Sequence, residues 1–184
     1  DYDYEIKKTV KITTGSKALD NLLGGGVEIG KITEAYGAAN SGKTQLGMQL
    51  AVSLQAISEN YETVYIDTEN TFKASRVHQM AESRGMNPKK VLNSIKLVRT
   101  LDTADLTHYV ECIKDLIQNR QDIKLVIIDS LMAPYRSEFV GREILAERQQ
   151  RIASLLYTLK KFTQTYGFAV YYTNQILTKP DQFF

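Results

Sequence analysis

Hydrophobic and polar positions alternate along this chain in two registers. Short runs rich in β-branched and aromatic residues, at 31–36, 63–67, 95–99, 124–129 and 168–173, predict strands. Between them apolar residues return at helical spacing. Leu46, Leu50, Leu54 and Ile57 share one helix face, and Leu106, Val110, Ile113 and Ile117 share another. The longest such stretch follows Gly141, with Leu145, Ile152, Leu156, Leu159 and Phe162 as its stripe. Residues 125–128 form an unbroken apolar run, as expected of a strand covered on both faces. Strand alternating with helix predicts an α/β fold, a mostly parallel sheet with helices on both faces and right-handed crossovers. Residues 16–23 read as a helix closed by a turn at Gly24, Gly25 and Gly26. The first dozen residues read either as an extended strand or as the end of a linker.

Bulk properties narrow the picture without deciding it. At 184 residues the chain fits a single domain, 1–184, able to bury a sizeable core. Hydrophobic residues at 43% and charged residues at 24% are ordinary for a globular protein. A net charge of +2 does not by itself point to a nucleic-acid partner, so DNA binding would have to come from local arrangement. The single cysteine, Cys112, excludes an internal disulfide framework and is expected to be a small core side chain. No charged-then-apolar leader and no run of 18 apolar residues is present, so an intracellular protein with no membrane partner is expected. The last stretch, 176–184, carries no pattern, and doubly wound domains rarely end directly after a buried strand. A fragment is therefore expected.

In parallel sheets ligands sit beyond the carboxyl ends of the strands, and the candidate chemistry falls there. GAANSGKT at 37–44 matches the P-loop pattern G-x-x-x-x-G-K-[ST], with a predicted strand before it and a helix after. Its glycines let backbone N–H groups turn inward around phosphate oxygens, and the following helix points its positive end at them. Lys43 supplies a charge for the β- and γ-phosphates of ATP, and Thr44 a hydroxyl for Mg²⁺. Asp129 closes the apolar strand and reads as the carboxylate that helps hold the metal through water, although a strand-terminal aspartate can also cap the next helix. Glu69 and Asp67, at another strand end, compete for the task of orienting or deprotonating an attacking water, and spacing does not choose between them. Arg136, Arg142 and Arg148 recur every six residues with Tyr135 and Phe139 interleaved. That composition suits phosphates and stacked bases of single-stranded DNA. On composition alone it better suits a solvated helix face, with Glu138, Glu143 and Glu147 pairing the arginines.

Six blocks, ITTGSKALD (12–20), LLGGG (22–26), SGKTQ (41–45), IDTENTF (66–72), LAERQ (145–149) and TNQ (173–175), occur in one order over nearly the whole chain. Together they resemble the RecA/RadA-type recombinases in their archaeal and eukaryotic branch. The resemblance implies a RecA-like ATPase core that assembles as a homo-oligomeric filament on single-stranded DNA and promotes homologous pairing and strand exchange. It implies that Glu69 activates water, that Lys43 and Gln175 act at the γ-phosphate, and that Arg76 lies against the adenine. The nucleotide set it implies is Gly37, Asn40, Ser41, Gly42, Lys43, Thr44, Gln45, Arg76 and Asp129. It also implies that 135–148 is the first DNA-binding loop and its following helix, with Arg136, Phe139, Arg142 and Arg148 on DNA.

The chain departs from the family pattern in places. The P-loop begins Gly37, Ala38, Ala39, Asn40 where a glutamate and a further glycine are usual, and Glu143 replaces the second glycine of Gly-Arg-Gly. The stretch from Leu54 to Thr63 is shorter than is typical. The amino-terminal helical lobe and the Phe-x-x-Ala oligomerisation segment are expected to be missing, and the sequence is expected to stop inside the second DNA-binding loop. A recombinase core is the leading expectation. A paralogue acting as a nucleotide-binding regulatory or mediator protein is the alternative, and a RecA-fold motor or switch unrelated to DNA is the third.

Overall fold

The strand β6 (Ile123–Asp129) organises the fold, because its apolar run is buried on both faces. The computed structural model describes residues 9–119, 122–141 and 143–176. In chain order the elements are β1 (Lys11–Ile12), α1 (Lys17–Leu22), β2 (Val27–Glu28), β3 (Ile32–Gly37), α2 (Lys43–Ile57), β4 (Glu62–Asp67) and α3 (Ala74–Glu82). There follow α4 (Pro88–Asn93), β5 (Ile95–Arg99), α5 (Thr103–Asn119), β6, α6 (Met132–Glu138), α7 (Leu145–Tyr166) and β7 (Ala169–Gln175). Five strands form a parallel sheet in the order β3-β7-β6-β4-β5, and β1 and β2 pair as a separate antiparallel ribbon.

Side-chain alternation sorts the core into two clusters, one on each face of the sheet. Leu125 and Ile127 of β6 and Tyr171 of β7 face α2, α3 and α4, where Met48, Leu50, Leu54, Val77 and Val91 pack. Val126, Ile128, Val170 and Tyr172 face the other way, against Leu106, Val110 and Ile113 of α5 and Ile152, Leu155 and Leu159 of α7. Each fully buried Leu, Ile or Val contributes about 1.5–3 kcal/mol, so either cluster alone is a substantial core.

Local signals start and stop these elements. Ser16 caps α1, Asn87 caps α4 with Pro88 in its first turn, and α7 ends where Gly167 turns left-handed at φ +67°. At Gly26 (φ +125°) a Cβ would come 2.3 Å from the carbonyl oxygen of Ile12, so only glycine lets β2 lie against β1. Asp20 fastens the same corner, accepting from the Thr14 N–H (2.7 Å) and from the hydroxyls of Thr13 and Thr14 (2.5 and 2.6 Å).

Three expectations change. The strand β7 runs on to Gln175, so Asn174 and Gln175 lie within it rather than after it. Ile57 and Leu145 sit at helix ends and are about 40% exposed, off their stripes. Cys112 is not a core side chain. It stands one step round α5 from buried Ile113, partly exposed, with its sulfur 3.6 Å from His108 Nε2. Among the described residues no helix is long and apolar enough to cross a membrane.

Candidate nucleotide site

The strand register aligns the chemistry. Gly37 pairs with Gln175 and Asp67 with Asp129, while β6 and β7 run in step up to Ile128 and Tyr172. The carboxyl rim of the sheet therefore carries the P-loop, Gln175, Asp129 and Asp67 side by side. All of these but Asp67 border a cleft of about 370 Å³ whose lining includes Asn40, Lys43, Thr44, Glu69, Asp129 and Gln175. A larger cavity of about 460 Å³ between α5 and α7 is lined by none of the P-loop, Glu69, Asp129 or Gln175, and lies away from the carboxyl rim that carries them.

The loop at 37–44 turns through two left-handed residues, Asn40 (φ +60°) and Gly42 (φ +93°). Gly42 is the N-cap of α2 and offers no side chain to its first turn, which leaves the leading N–H groups free for a ligand. Lys43 Nζ donates to the Gly37 carbonyl (3.0 Å), the Ala38 carbonyl (2.7 Å) and Ser41 Oγ (3.2 Å), which holds its charge over the loop. The helix is seated closely on the sheet. Tyr171 donates its hydroxyl to the Lys43 carbonyl at 2.8 Å, and a Cβ on Gly47 would lie 3.3 Å from the Tyr171 ring.

Asp129 is almost wholly buried, and both its oxygens are engaged. Tyr65 donates to Oδ2 (2.9 Å), Thr173 donates to Oδ1 (2.5 Å), and the Thr71 hydroxyl stands 3.4 Å from Oδ2. A carboxylate so held suits a metal reached through water rather than by direct ligation. Among the described residues no three His, Cys, Asp or Glu side chains converge as a cage. One hydroxyl, from Thr44, and one carboxylate fit a Mg²⁺ brought in by a polyphosphate. Tyr65 and Thr173 are not distinguished by the motif. The signal for Tyr65 is a lone tyrosine at an inward position of an otherwise aliphatic strand. Tyr65→Phe is expected to leave Oδ2 with only the long Thr71 contact, at a cost of about 1–3 kcal/mol in urea unfolding. An unchanged midpoint and slope would mean that hydroxyl contributes nothing.

The two competing carboxylates are now separated. Asp67 is 1% exposed and spends both oxygens on backbone, accepting from the Thr71 N–H (3.1 Å) and the Phe72 N–H (3.0 Å). Its carboxylate shapes the loop at 71–72 and does not line the cleft. Glu69 instead stands at the cleft, because the hydroxyl of Thr68 donates to the Ser130 carbonyl (2.8 Å) and accepts from the Ser130 N–H (2.9 Å), locking β4's end to β6's. Partial desolvation pushes the Glu69 pKa up, and the charge of Asp129 pushes it further. The Ser130 hydroxyl and Arg136 pull it the other way.

Around this centre, Gln45 and Arg76 meet at the outer edge. Arg76 Nε donates to Gln45 Oε1 (2.7 Å) and Nη1 to Gln79 Oε1 (3.1 Å), leaving the exposed guanidinium braced beside α2.

Among the described residues of 135–148, the candidate DNA contacts are not gathered on one solvent-facing surface. Arg136 is half-buried and turns inward, donating from Nη2 to Asn174 Oδ1 (2.8 Å) and to the Gln175 carbonyl. Phe139 packs against the core with Tyr135, and Arg151 lies 5.0 Å over its ring. Arg148 is half-buried, and its Nε has no hydrogen-bond partner among the described residues. Arg142 lies outside the described residues. Two of the expected glutamate partners are otherwise engaged, Glu138 capping α5 through the Thr103 N–H (2.6 Å) and hydroxyl (2.5 Å), and Glu147 pairing with Arg151 (2.7 Å).

Comparison with known proteins adds two findings. A family model described as Rad51 matches residues 5–183. The chain is 41% identical over 186 aligned residues to a protein of Metallosphaera sedula described as DNA repair and recombination protein RadA. That alignment covers 99% of this chain and 57% of the relative, so the chain spans a little over half the relative's length.

Proposed function

The chain belongs to the Rad51 family, and from that premise we propose that it is the ATP-hydrolysing core of a DNA recombinase. In this reading it binds single-stranded DNA and, in a homo-oligomeric filament, promotes homologous pairing and strand exchange. The observation that carries the reading is the single cleft into which Lys43, Thr44, Glu69, Asp129 and Gln175 project from four strand ends.

The triphosphate lies over the α2 N-terminus, with Gly37, Asn40, Ser41 and Gly42 giving backbone N–H groups to its oxygens and Lys43 its charge. Gln45 and Arg76 bound the base. The Thr44 hydroxyl and, through water, Asp129 would hold Mg²⁺, which would offset negative charge on the phosphates. Glu69 takes a proton from the attacking water as the new oxygen–phosphorus bond forms and the bond to the β-phosphate oxygen breaks, giving ADP and phosphate. Gln175, beside Gly37 in the ladder, touches the γ-phosphate end.

Arg142 and Arg148 would meet the DNA backbone with little sequence preference. The test is binding of labelled oligothymidylate across a salt series, with ATP turnover followed alongside. Arg148→Ala is expected to lower the magnitude of the log–log salt slope by about 0.7. An unchanged slope and affinity would make this segment a solvated helix face. The mediator reading has one observation in its favour, the inward engagement of Arg136 and Phe139 together with Glu143 beside Arg142. It predicts ATP binding and partner binding with little strand exchange.

A further inference from the structure

The side chains that donate to Asp129 among the described residues are all neutral hydroxyls. Thr173 of β7 donates to Oδ1 at 2.5 Å, Tyr65 of β4 donates to Oδ2 at 2.9 Å, and the Thr71 hydroxyl stands 3.4 Å from Oδ2. None of them carries charge, so together they orient the carboxylate without cancelling its charge. A carboxylate offers about four acceptor directions, and this collar uses most of them. Asp129, Thr71 and Thr173 all line the cleft, so the remaining acceptor capacity is presented there.

The donors come from three parts of the fold, and each is fixed by contacts of its own. Tyr65 is wholly buried, with its ring edge-on to Phe72 and the centroids 4.9 Å apart. Thr71 and Phe72 are held in turn by their N–H groups, which donate to Asp67 at 3.1 and 3.0 Å. Thr173 is 1% exposed within β7, and its carbonyl accepts the Leu131 N–H at 3.2 Å. Turning both Asp129 oxygens toward a cation would break the Tyr65 or the Thr173 bond and strand a buried hydroxyl. Accepting from a water on that cation breaks neither. Mg²⁺ suits such a carboxylate, because it gives up its waters reluctantly and keeps several of them when bound.

We propose that Tyr65 and Thr173 are positioning residues for the nucleotide-bound Mg²⁺, holding Asp129 in the orientation that accepts from the water shell of the cation. Both act through Asp129. Loss of either hydroxyl leaves one oxygen free to turn, so Mg²⁺ should add less to nucleotide affinity. Affinity without Mg²⁺ should be spared, since the bonds of these hydroxyls go to Asp129 and not to the P-loop. The inference rests on the Mg²⁺ and nucleotide reading given above.

The test is isothermal calorimetry of ADP binding, with Mg²⁺ and with EDTA, for the wild-type chain, Tyr65→Phe, Thr173→Val and Thr173→Ser. ADP is not turned over, so the readout is binding alone. In the wild type Mg²⁺ is expected to raise ADP affinity by about tenfold or more. Tyr65→Phe and Thr173→Val should each lower that factor by about fivefold, with affinity in EDTA within about twofold of the wild type. Thr173→Ser keeps the hydroxyl and should keep the factor. If Tyr65→Phe does not fold, the two Thr173 variants carry the comparison. An unchanged factor in either folded variant that lacks a hydroxyl overturns the inference, and so does a Thr173→Ser as impaired as Thr173→Val. Equal losses with Mg²⁺ and with EDTA overturn it too, because they mark a structural role. A wild-type chain that binds ADP equally well in Mg²⁺ and in EDTA overturns the Mg²⁺ reading itself, and this inference with it.

Discussion

Replacing Lys43 with alanine is expected to lower affinity for ATP roughly a hundredfold while leaving affinity for adenosine within about threefold. The substitution removes the cation proposed to face the β- and γ-phosphates, together with its three hydrogen bonds inside the loop. The left-handed turn at Gly42, the uncapped first turn of α2 and the tie from the Tyr171 hydroxyl to the carbonyl of residue 43 all belong to backbone or to other side chains. A hydrogen bond to a charged group is worth about 1.5–3 kcal/mol, and 2.7 kcal/mol is a factor of about a hundred. Adenosine, which has no phosphate, is the control that matters, because Lys43 also bonds to Gly37, Ala38 and Ser41 within its own loop. Isothermal calorimetry with both ligands separates the two roles. Equal losses for ATP and adenosine would make Lys43 a brace for the loop instead of a phosphate ligand.

Glu69→Gln is expected to reduce ATP turnover by about 10²-fold or more, with ATP affinity nearly intact, because glutamine keeps the shape but cannot take a proton. Asp67→Asn is the contrast. Its oxygens hold the Thr71 and Phe72 N–H groups, so that change should act through stability. The raised pKa of Glu69 adds two pH signatures. The acidic limb of the turnover profile should lie above the ordinary glutamate range of about 4.3. With the folded pKa above the unfolded one, the folded state holds its proton more tightly. The stability this contributes is fully present below the unfolded pKa and is lost as pH rises through the folded value. At neutral pH Glu69→Gln should therefore be at least as stable as the wild type, and that advantage should vanish in acid. Turnover that survives in Glu69→Gln moves the base role to another group.

Much of this arrangement was legible in residue order. The P-loop and the strand-terminal aspartates announce themselves by spacing, and a parallel sheet places strand ends along one rim, so Lys43 and Asp129 meet without any knowledge of loops. What spacing does not carry is direction. Asp67 and Glu69 are two residues apart, and only the fold-back of residues 71 and 72 onto Asp67 shows which carboxylate is spent. The same holds for Arg136, Arg142 and Arg148, whose even interval suggests a single row. Arg136 belongs to α6 and Arg148 to α7, and the break between the helices sends Arg136 inward. Tyr65 and Thr173 were hidden for another reason. Each looks like an ordinary strand residue until the neighbouring strand brings Asp129 beside it.

The strand β7 behaves as a wall one residue thick between two compartments. Its odd-numbered residues, 171, 173 and 175, are addressed to the P-loop side, and its even-numbered ones, 172 and 174, to α6 and Glu34. Parity alone decides which compartment a side chain serves. Insertion of a single residue anywhere between 170 and 173 would exchange the two addresses downstream, turning an asparagine toward the cleft and the γ-phosphate candidate toward α6. Substitutions in this strand can drift one compartment at a time, whereas a change of length disturbs both at once. The strand is held to its count.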